Sequence, residues 1–371
     1  MKKKTYRMFA VAAPGLEEAC LREMQALELQ EAQLCPGGVE FSGELHDLYR
    51  ANLWLRTASR ILVRVAELRA TSFPDLFRRA VRLPWGHFIR PETAVRVRAS
   101  SRSSRLVHTG RIAETLGEAI DRALGRDASV ANQHPQQVLA RFENDRCVLS
   151  IDSSGELLHR RSYRRNITPA PLRETLAAGL LLELGWDGVS SLVDPLCGSG
   201  TIVIEGALMA LGRAPGSQRP FAFMDWPRFR EGRWRLLLDE AARQSRSRLA
   251  APILGSDRDS QAIAAARSNA QRAGLDSQLI LAHHRLEDFT PPSEPGLVLC
   301  NPPYGARLGS DCDLEGFYGS LGRAFRYRLS GWQVALITPE PRLAQATGLR
   351  LKAGKCFDNG GLSVQLWQTR L

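Results

Sequence analysis

The chain has 371 residues, 44% of them hydrophobic and 24% charged, with 20 prolines. At roughly 100–200 residues per domain this is two or three domains, each able to bury a core, and the composition excludes a disordered chain. No apolar run approaches the ~20 residues a membrane helix needs, and residues 1–7 are basic without the apolar stretch of a secretory signal.

Fifty Lys+Arg against 39 Asp+Glu give a net charge of +11, and only residues 2, 3, 4, 352 and 355 are lysine. A GC-rich coding sequence also favours arginine over lysine, so position carries more information than the bias itself. Residues 1–165 hold 27 basic and 19 acidic side chains, whereas 166–371 hold 23 and 20. The excess sits at the front, as expected of a half that approaches phosphate; a solvated basic surface without a partner is the alternative. Seven cysteines at 20, 35, 147, 197, 300, 312 and 356 include no C-x-x-C pair, which suits reduced thiols in a cytoplasm. His283-His284 stands without a second ligand cluster, so no metal site is expected.

In chain order, a strand is expected over 6–11, and Pro14-Gly15 then opens a helix to about 27. Pro36-Gly37-Gly38 turns into a strand at 39–41, and 45–56 reads as an amphipathic helix. This β-α-β-α order suits a small α+β unit. A second unit follows, with strands at 61–68, 94–99 and 146–152 and helices at 73–81 and 111–124. The strand at 94–99 carries arginine on one face. The stretch 100–109, with Arg102 and Arg105 among short hydroxyls, can donate to phosphates or be a solvated Ser-rich turn. The run 159–165 sets Arg160, Arg161, Arg164 and Arg165 around Tyr163, which suits tracking a nucleic-acid backbone or a basic linker.

After Thr168-Pro169-Ala170-Pro171 the composition changes. A long apolar helix at 172–186 leads into alternating strands (191–194, 253–257, 278–282, 297–300, 334–338, 363–368) and helices (200–211, 259–273, 313–328). That is the rhythm of a doubly wound sheet.

The first of these strands ends in Asp194-Pro195-Leu196-Cys197-Gly198-Ser199-Gly200-Thr201, and a helix begins at once. Glycines there let a backbone pass close to a ligand and turn into a helix N-terminus. Val203 stands where a dinucleotide fingerprint needs its third glycine, and no lysine follows for a phosphate loop. With Asp194 at the strand end, the loop suits a cationic, amine-bearing ligand. The next strand ends in Asp257, placed to accept both ribose hydroxyls of an adenosine, while Asp259 reads as a helix N-cap.

The strand 297–300 runs into Asn301-Pro302-Pro303-Tyr304-Gly305. Two prolines remove two backbone donors and fix φ, leaving carbonyls in a rigid outward array. The Asn301 side-chain oxygen and the Pro302 carbonyl can both accept from one exocyclic amine, and Tyr304 offers a flat face to a base. Such an array orients a ring-conjugated nitrogen for attack on an electrophilic methyl, with no strong base required.

On the loop 194–201, Asp257 and 301–305, residues 160–371 resemble the class I S-adenosylmethionine-dependent methyltransferases that act on amines. The stretches 102–109, 151–164 and 170–177 look like signatures of THUMP-domain RNA methyltransferases. The nearest likeness is to the bacterial guanine-N2 methyltransferases of 23S ribosomal RNA, whose insert resembles Ala214-Pro215-Gly216, Phe221-Ala222-Phe223 and Trp226. The resemblance implies an α/β chain: a ferredoxin-like piece at 1–60, a THUMP domain at 61–160, and a Rossmann-like methyltransferase domain at 161–371 that opens with a linker at 161–171. It implies S-adenosylmethionine as cofactor, held by Asp194, Pro195, Cys197, Gly198, Gly200, Thr201 and Asp257. Asn301, Pro302, Pro303 and Tyr304 would hold a flipped-out guanine. Arg102, Arg105, Arg160, Arg161 and Arg164 would grip RNA, ribosomal RNA above all. The family places an acid after the third strand for the adenine amine, and within 282–288 Asp288 fits best, with a backbone or histidine contact as the alternative. A tRNA guanine, an adenine N6 or a non-catalytic RNA-binding role in assembly stay open, as does oligomeric state. A cytoplasmic location without membrane contact is expected.

Overall fold

The computed structural model describes residues 5–126, 135–164, 172–304 and 313–371. Arg165, the 168–171 stretch, Gly305 and Cys312 lie outside the described residues. The chain folds into two units. One comprises Met1–Ala12, Leu21–Leu158 and Arg219–Leu238; the other comprises Ala13–Cys20, His159–Gln218 and Asp239–Leu371.

In the first unit, strands β1 (Tyr6–Ala12), β2 (Gln33–Cys35), β3 (Gly38–Gly43), β4 (Ala58–Arg69), β5 (Val95–Arg102), β6 (Gln136–Glu143) and β7 (Arg146–Asp152) form one sheet in the order β2-β3-β1-β4-β7-β6-β5. Two α+β pieces joined near residue 60 were expected. β4 spans that position, pairing with β1 over its first half and with β7 over its second. Its twelve residues are long enough to belong to both pieces, so the backbone hydrogen bonding is continuous across them.

Helices α2 (Leu45–Trp54), α3 (Phe73–Ala80) and α4 (Thr109–Leu124) complete this unit, α1 (Glu17–Ala26) preceding them in the chain. On α4, Ile112, Leu116, Ala119 and Ile120 recur at helical spacing and are buried, and Gly125 ends the helix at φ 64°. Strand β6 was not anticipated. Its core positions Val138, Ala140 and Phe142 alternate with Gln137, Leu139 and Arg141, a pattern its glutamines and alanine dilute.

The excursion Arg219–Leu238 is built into the first unit. Arg219 donates to the Leu157 and Glu156 carbonyls, both at 2.7 Å. Phe223 stacks on Tyr49 at 4.6 Å between ring centroids, and Trp226 Nε1 donates to Gln136 at 2.8 Å. The aromatics that resembled a family insert are therefore structural plugs of this unit.

The second unit is the doubly wound sheet. Strands β8 (Leu192–Asp194), β9 (Ile253–Asp257), β10 (Ile280–His283), β11 (Leu297–Cys300) and β12 (Gln333–Thr338) run parallel. Strands β13 (Lys352–Asn359) and β14 (Leu362–Arg370) close one side as an antiparallel pair, in the order β10-β9-β8-β11-β12-β14-β13. Chain order reverses between β8 and β11, which places a ligand crevice beyond their carboxyl ends.

Around the sheet lie α5 (Glu174–Glu183), α6 (Thr201–Ala210), α8 (Ser260–Arg272), α9 (Leu314–Arg328) and α10 (Pro341–Ala346). Residues 174–181 of α5 are all buried, as a helix apolar on every side requires. Strand β13, helix α10 and helix α7 (Glu231–Gln244) were not anticipated. β13 is an edge strand rich in Lys and Gly, exposed at its start.

Candidate active site

Three strand tips meet the crevice: Asp194 from β8, Asp257 from β9 and Asn301 following β11. A cavity of about 880 Å³ lies there, within the 300–1,000 Å³ typical of small-molecule sites. Asp194, Pro195, Cys197, Gly198, Thr201, Asp257, Asn301, Pro302 and Pro303 all line it.

The loop after β8 is fixed from both sides. Asp257 accepts from the Gly198 and Asp259 backbone N–H groups, one on each carboxylate oxygen, both at 2.9 Å. Cys197 N donates to the Ser256 carbonyl at 2.9 Å. From behind, Asn269 Nδ2 donates to the Ser199 carbonyl at 3.1 Å. Gly200 has φ 84°, and a Cβ there would come within 3.1 Å of the Ala266 Cβ on α8. The turn thus demands glycine on backbone and packing grounds together.

Asp194 is 2% exposed, and Leu196 N is its hydrogen-bond donor, at 3.1 Å. Burial holds its carboxyl well above the ordinary carboxylate range, the Leu196 N–H opposes that, and the charge of Asp257 adds to it. Burial, with the same two carboxylates, also pushes the Cys197 thiol up, so it is a neutral lining group. Asn301 Oδ1 is buried and has no hydrogen-bond partner among the described residues. An orphaned buried acceptor costs about 1–3 kcal/mol, a cost a bound donor removes. The loop's backbone cradle, the buried Asp194 carboxyl group and the orphaned Asn301 oxygen fit a ligand rich in amines and hydroxyls, as S-adenosylmethionine and an amine substrate are.

Three expected site residues are placed differently. Tyr304 is 1% exposed, its ring belongs to the hydrophobic core, and its hydroxyl accepts from Asn359 Nδ2 at 3.2 Å. It anchors the motif and presents no open face to a base. Among the described residues, the phenyl ring that lines the cavity is that of Phe317 on α9, which no motif marks. Asp288 is exposed and outside the cavity lining, whereas His284, Arg285 and Glu287 line it. Leu286–Asp288 is a single 3-10 turn, in which successive side chains diverge by about a third of a turn, so Glu287 and Asp288 face different ways. Gly200 caps α6 and shapes the loop without lining the cavity.

The basic run 159–164 also needs correction. Arg161 is 4% exposed and pairs with Glu205 at 3.6 Å, and Tyr163 donates its hydroxyl to the same carboxylate at 2.9 Å. Arg164 pairs with Glu174 at 3.0 Å and donates to the Leu172 carbonyl at 2.9 Å. Burial and the neighbouring arginines push His159 down to about 4, so it is neutral near pH 7. These side chains are core, because Glu174 and Glu205 on two buried helices need them. Arg160 is exposed, as are Arg102 and Arg105 in the first unit, where Arg105 pairs with Asp145 at 3.4 Å.

Known proteins match along the whole chain. Residues 161–366 match the RMKL-like methyltransferase domain, 7–62 the RlmL ferredoxin-like domain and 70–152 the THUMP domain. "Putative RNA methyltransferase slr0064" of Synechocystis is 37% identical over 98% of this chain and 96% of its own. The ribosomal RNA large subunit methyltransferase K/L of Methylococcus capsulatus is 38% identical over 98% of this chain. The match spans only 51% of that longer protein. The crystal structure of "SMU.472, a putative methyltransferase complexed with SAH" superposes with a TM-score of 0.90 at 33% identity, covering 99% of this chain and 98% of that one. With its glycine loop, Asp194 and Asp257 arranged as described, the chain belongs to the RMKL-like methyltransferases that carry an RlmL-type ferredoxin-like domain and a THUMP domain, and its cofactor is S-adenosylmethionine.

Proposed function

We propose that this protein methylates the exocyclic N2 amine of a guanine in structured RNA, 23S ribosomal RNA above all. The observation that carries this reading is the buried, unpartnered Oδ1 of Asn301 beside two prolines, at the rim of a cavity with a built cofactor loop. The RNA substrate is supported by the THUMP domain and by the names of the relatives, guanine by the sequence motifs 301–304 and the likeness of the front half. Residues up to about 160 are read as the RNA-gripping part and the rest as the catalytic part.

S-adenosylmethionine, when bound, supplies an electrophilic methyl whose bond to sulfur breaks as the bond to nitrogen forms. Asp194 and the backbone of Cys197 and Gly198 would hold its methionine end, and Asp257 its ribose. Asn301 Oδ1 and the Pro302 carbonyl accept from the amine of the base and fix its orientation. Neither proline offers a backbone N–H, so nothing there competes for the nitrogen lone pair. The donated proton becomes acidic once nitrogen carries positive charge and leaves to solvent without a dedicated base. Tyr318 Oη donates to the Pro303 carbonyl at 3.3 Å and holds the array rigid from behind. Phe317, which lines the same cavity, would meet the face of the base.

Incubation with labelled S-adenosylmethionine and either 23S rRNA or bulk tRNA tests the reading. Label in the rRNA is the expected result, and label confined to tRNA would redirect the substrate assignment.

A further inference from the structure

One face of the first unit's sheet is a dense arginine surface, three of whose members, Arg69, Arg141 and Arg146, lie outside the arginine-bearing segments at 94–99 and 100–109. Paired residues lie on the same face of a pleated sheet, and alternate residues of a strand share it. On β5, Arg96, Arg98 and Arg102 therefore face one way, and all three are exposed. The register continues this face across three more strands. Arg102 stands opposite Glu143 on β6, Glu143 opposite Arg146 on β7, and Arg146 opposite Arg69 on β4. In the next row Ser100 faces Arg141, which faces Val148, which faces Glu67. The opposite face is core, with Val138, Ala140, Phe142, Cys147 and Leu149 buried.

Six exposed arginines thus meet two carboxylates on this face. Glu143 pairs with Arg141 at 3.3 Å and Glu67 with Arg146 at 3.8 Å, and those pairs stay well hydrated: Arg141 and Arg146 keep 60% and 74% of their side-chain surface. Four strands at about 4.8 Å spacing make the patch roughly 14 Å wide, and arginines two residues apart on β5 recur about every 6.7 Å. β5 is an edge strand, and charge on an edge blocks strand addition. That explanation does not reach Arg141 or Arg146, which are paired with neighbouring strands on both sides. No aromatic side chain occurs in these two rows, so the chemistry suits phosphates and not stacked bases.

We infer that this sheet face, centred on Arg96, Arg98, Arg141 and Arg146, is the docking surface for the phosphate backbone of the substrate RNA. The inference rests on the reading of RNA as substrate. It adds a surface that grips independently of base sequence, apart from the cavity that receives the target base.

The test compares the full chain with the triple variant R96Q/R98Q/R141Q and the control R233Q/R235Q/R243Q, which removes the same charge from exposed positions on α7. A second variant, R69Q/R146Q, stands in should the first fail to fold. Affinity for transcribed 23S rRNA and for an RNA duplex of arbitrary sequence is measured between 50 and 200 mM salt. The docking surface predicts at least a tenfold loss of affinity for both RNAs at 100 mM salt. It also predicts a log–log salt slope shallower by about two, at roughly 0.7–0.9 per phosphate contact. The KM for RNA should rise in step while S-adenosylmethionine affinity and kcat stay unchanged. A sheet-face variant that behaves as the control does would overturn the docking surface and leave the proposed reaction standing. A wild-type chain that binds RNA with the expected slope yet methylates none would overturn the reaction and leave the surface. Failure of the wild type to bind either RNA would overturn both.

Discussion

Asn269, fully buried on α8, donates its side-chain N–H to the carbonyl of Ser199 at 3.1 Å, gripping the cofactor loop from the side opposite the cavity. Its own oxygen accepts from Arg272 Nη2 at 2.6 Å, and Arg272 Nε donates to the Tyr163 carbonyl at 2.7 Å. The loop's left-handed turn is thus tied to α8 and, through Arg272, to the 159–164 stretch.

Asn269→Ala leaves the Ser199 carbonyl and the Arg272 guanidinium short of a partner, at a cost of about 1–3 kcal/mol. The loop pays most of it in order. We expect the KM for S-adenosylmethionine to rise roughly tenfold, since ~1.4 kcal/mol is a factor of ten, with kcat at saturating cofactor nearly unchanged. Steady-state kinetics at varied cofactor concentration read this directly. A fall in kcat with no change in KM would place Asn269 in the chemistry instead.

Asp194 makes cofactor binding and stability respond to pH in opposite ways. Its native carboxyl is held well above the ordinary value near 4, so between those values the folded state binds the extra proton. Stability of the cofactor-free chain therefore falls as pH rises through that window, and the cost is complete above it. A cationic ligand prefers the ionised form, so S-adenosylmethionine should bind more tightly as pH rises over the same range. Asp194→Asn removes the burial cost and should raise the melting temperature of the cofactor-free chain near pH 8 while weakening cofactor binding. A lower melting temperature for that variant at pH 8 would contradict the assignment of the cost to this carboxylate.

Arg161 is expected to matter for folding and not for RNA. Its removal strands Glu205, which is fully buried on α6, and breaking one partner of a buried ion pair costs about 3–5 kcal/mol. Urea denaturation of Arg161→Ala should show that loss, with RNA affinity of the folded protein within about twofold of wild type. A stable variant with weakened RNA binding would restore Arg161 to the surface.

Asn301→Ala should lower methyl transfer by about 10²–10³, the range seen when one oriented hydrogen-bonding group is lost from an active site. Cofactor affinity should hold within about threefold, because the cradle for the cofactor is built by β8 and β9. Equilibrium binding and single-turnover methylation separate the two quantities.

The sites at the strand tips were legible because their signals are local. A glycine pair, an acid at a strand end and Asn-Pro-Pro each constrain the backbone within a few residues. Helices such as α4 were legible for the same reason, since their apolar spacing is set within one turn. What was hidden depends on distant partners. Arg161 and Arg164 look like solvated cations until Glu205 and Glu174 come alongside, and Tyr304 looks available for stacking until Asn359 takes its hydroxyl. Charge in the front half was visible as composition. Its concentration on one sheet face required the register of β4, β5, β6 and β7, which no single strand contains.

In the proposed reaction, Asn301 and the Pro302 carbonyl present a guanine amine for methylation. Mass analysis of nucleosides released from 23S rRNA after incubation with the protein and S-adenosylmethionine tests it most directly. N2-methylguanosine, absent from the Asn301→Ala reaction, is the predicted product. N6-methyladenosine as the sole methylated nucleoside would contradict the account.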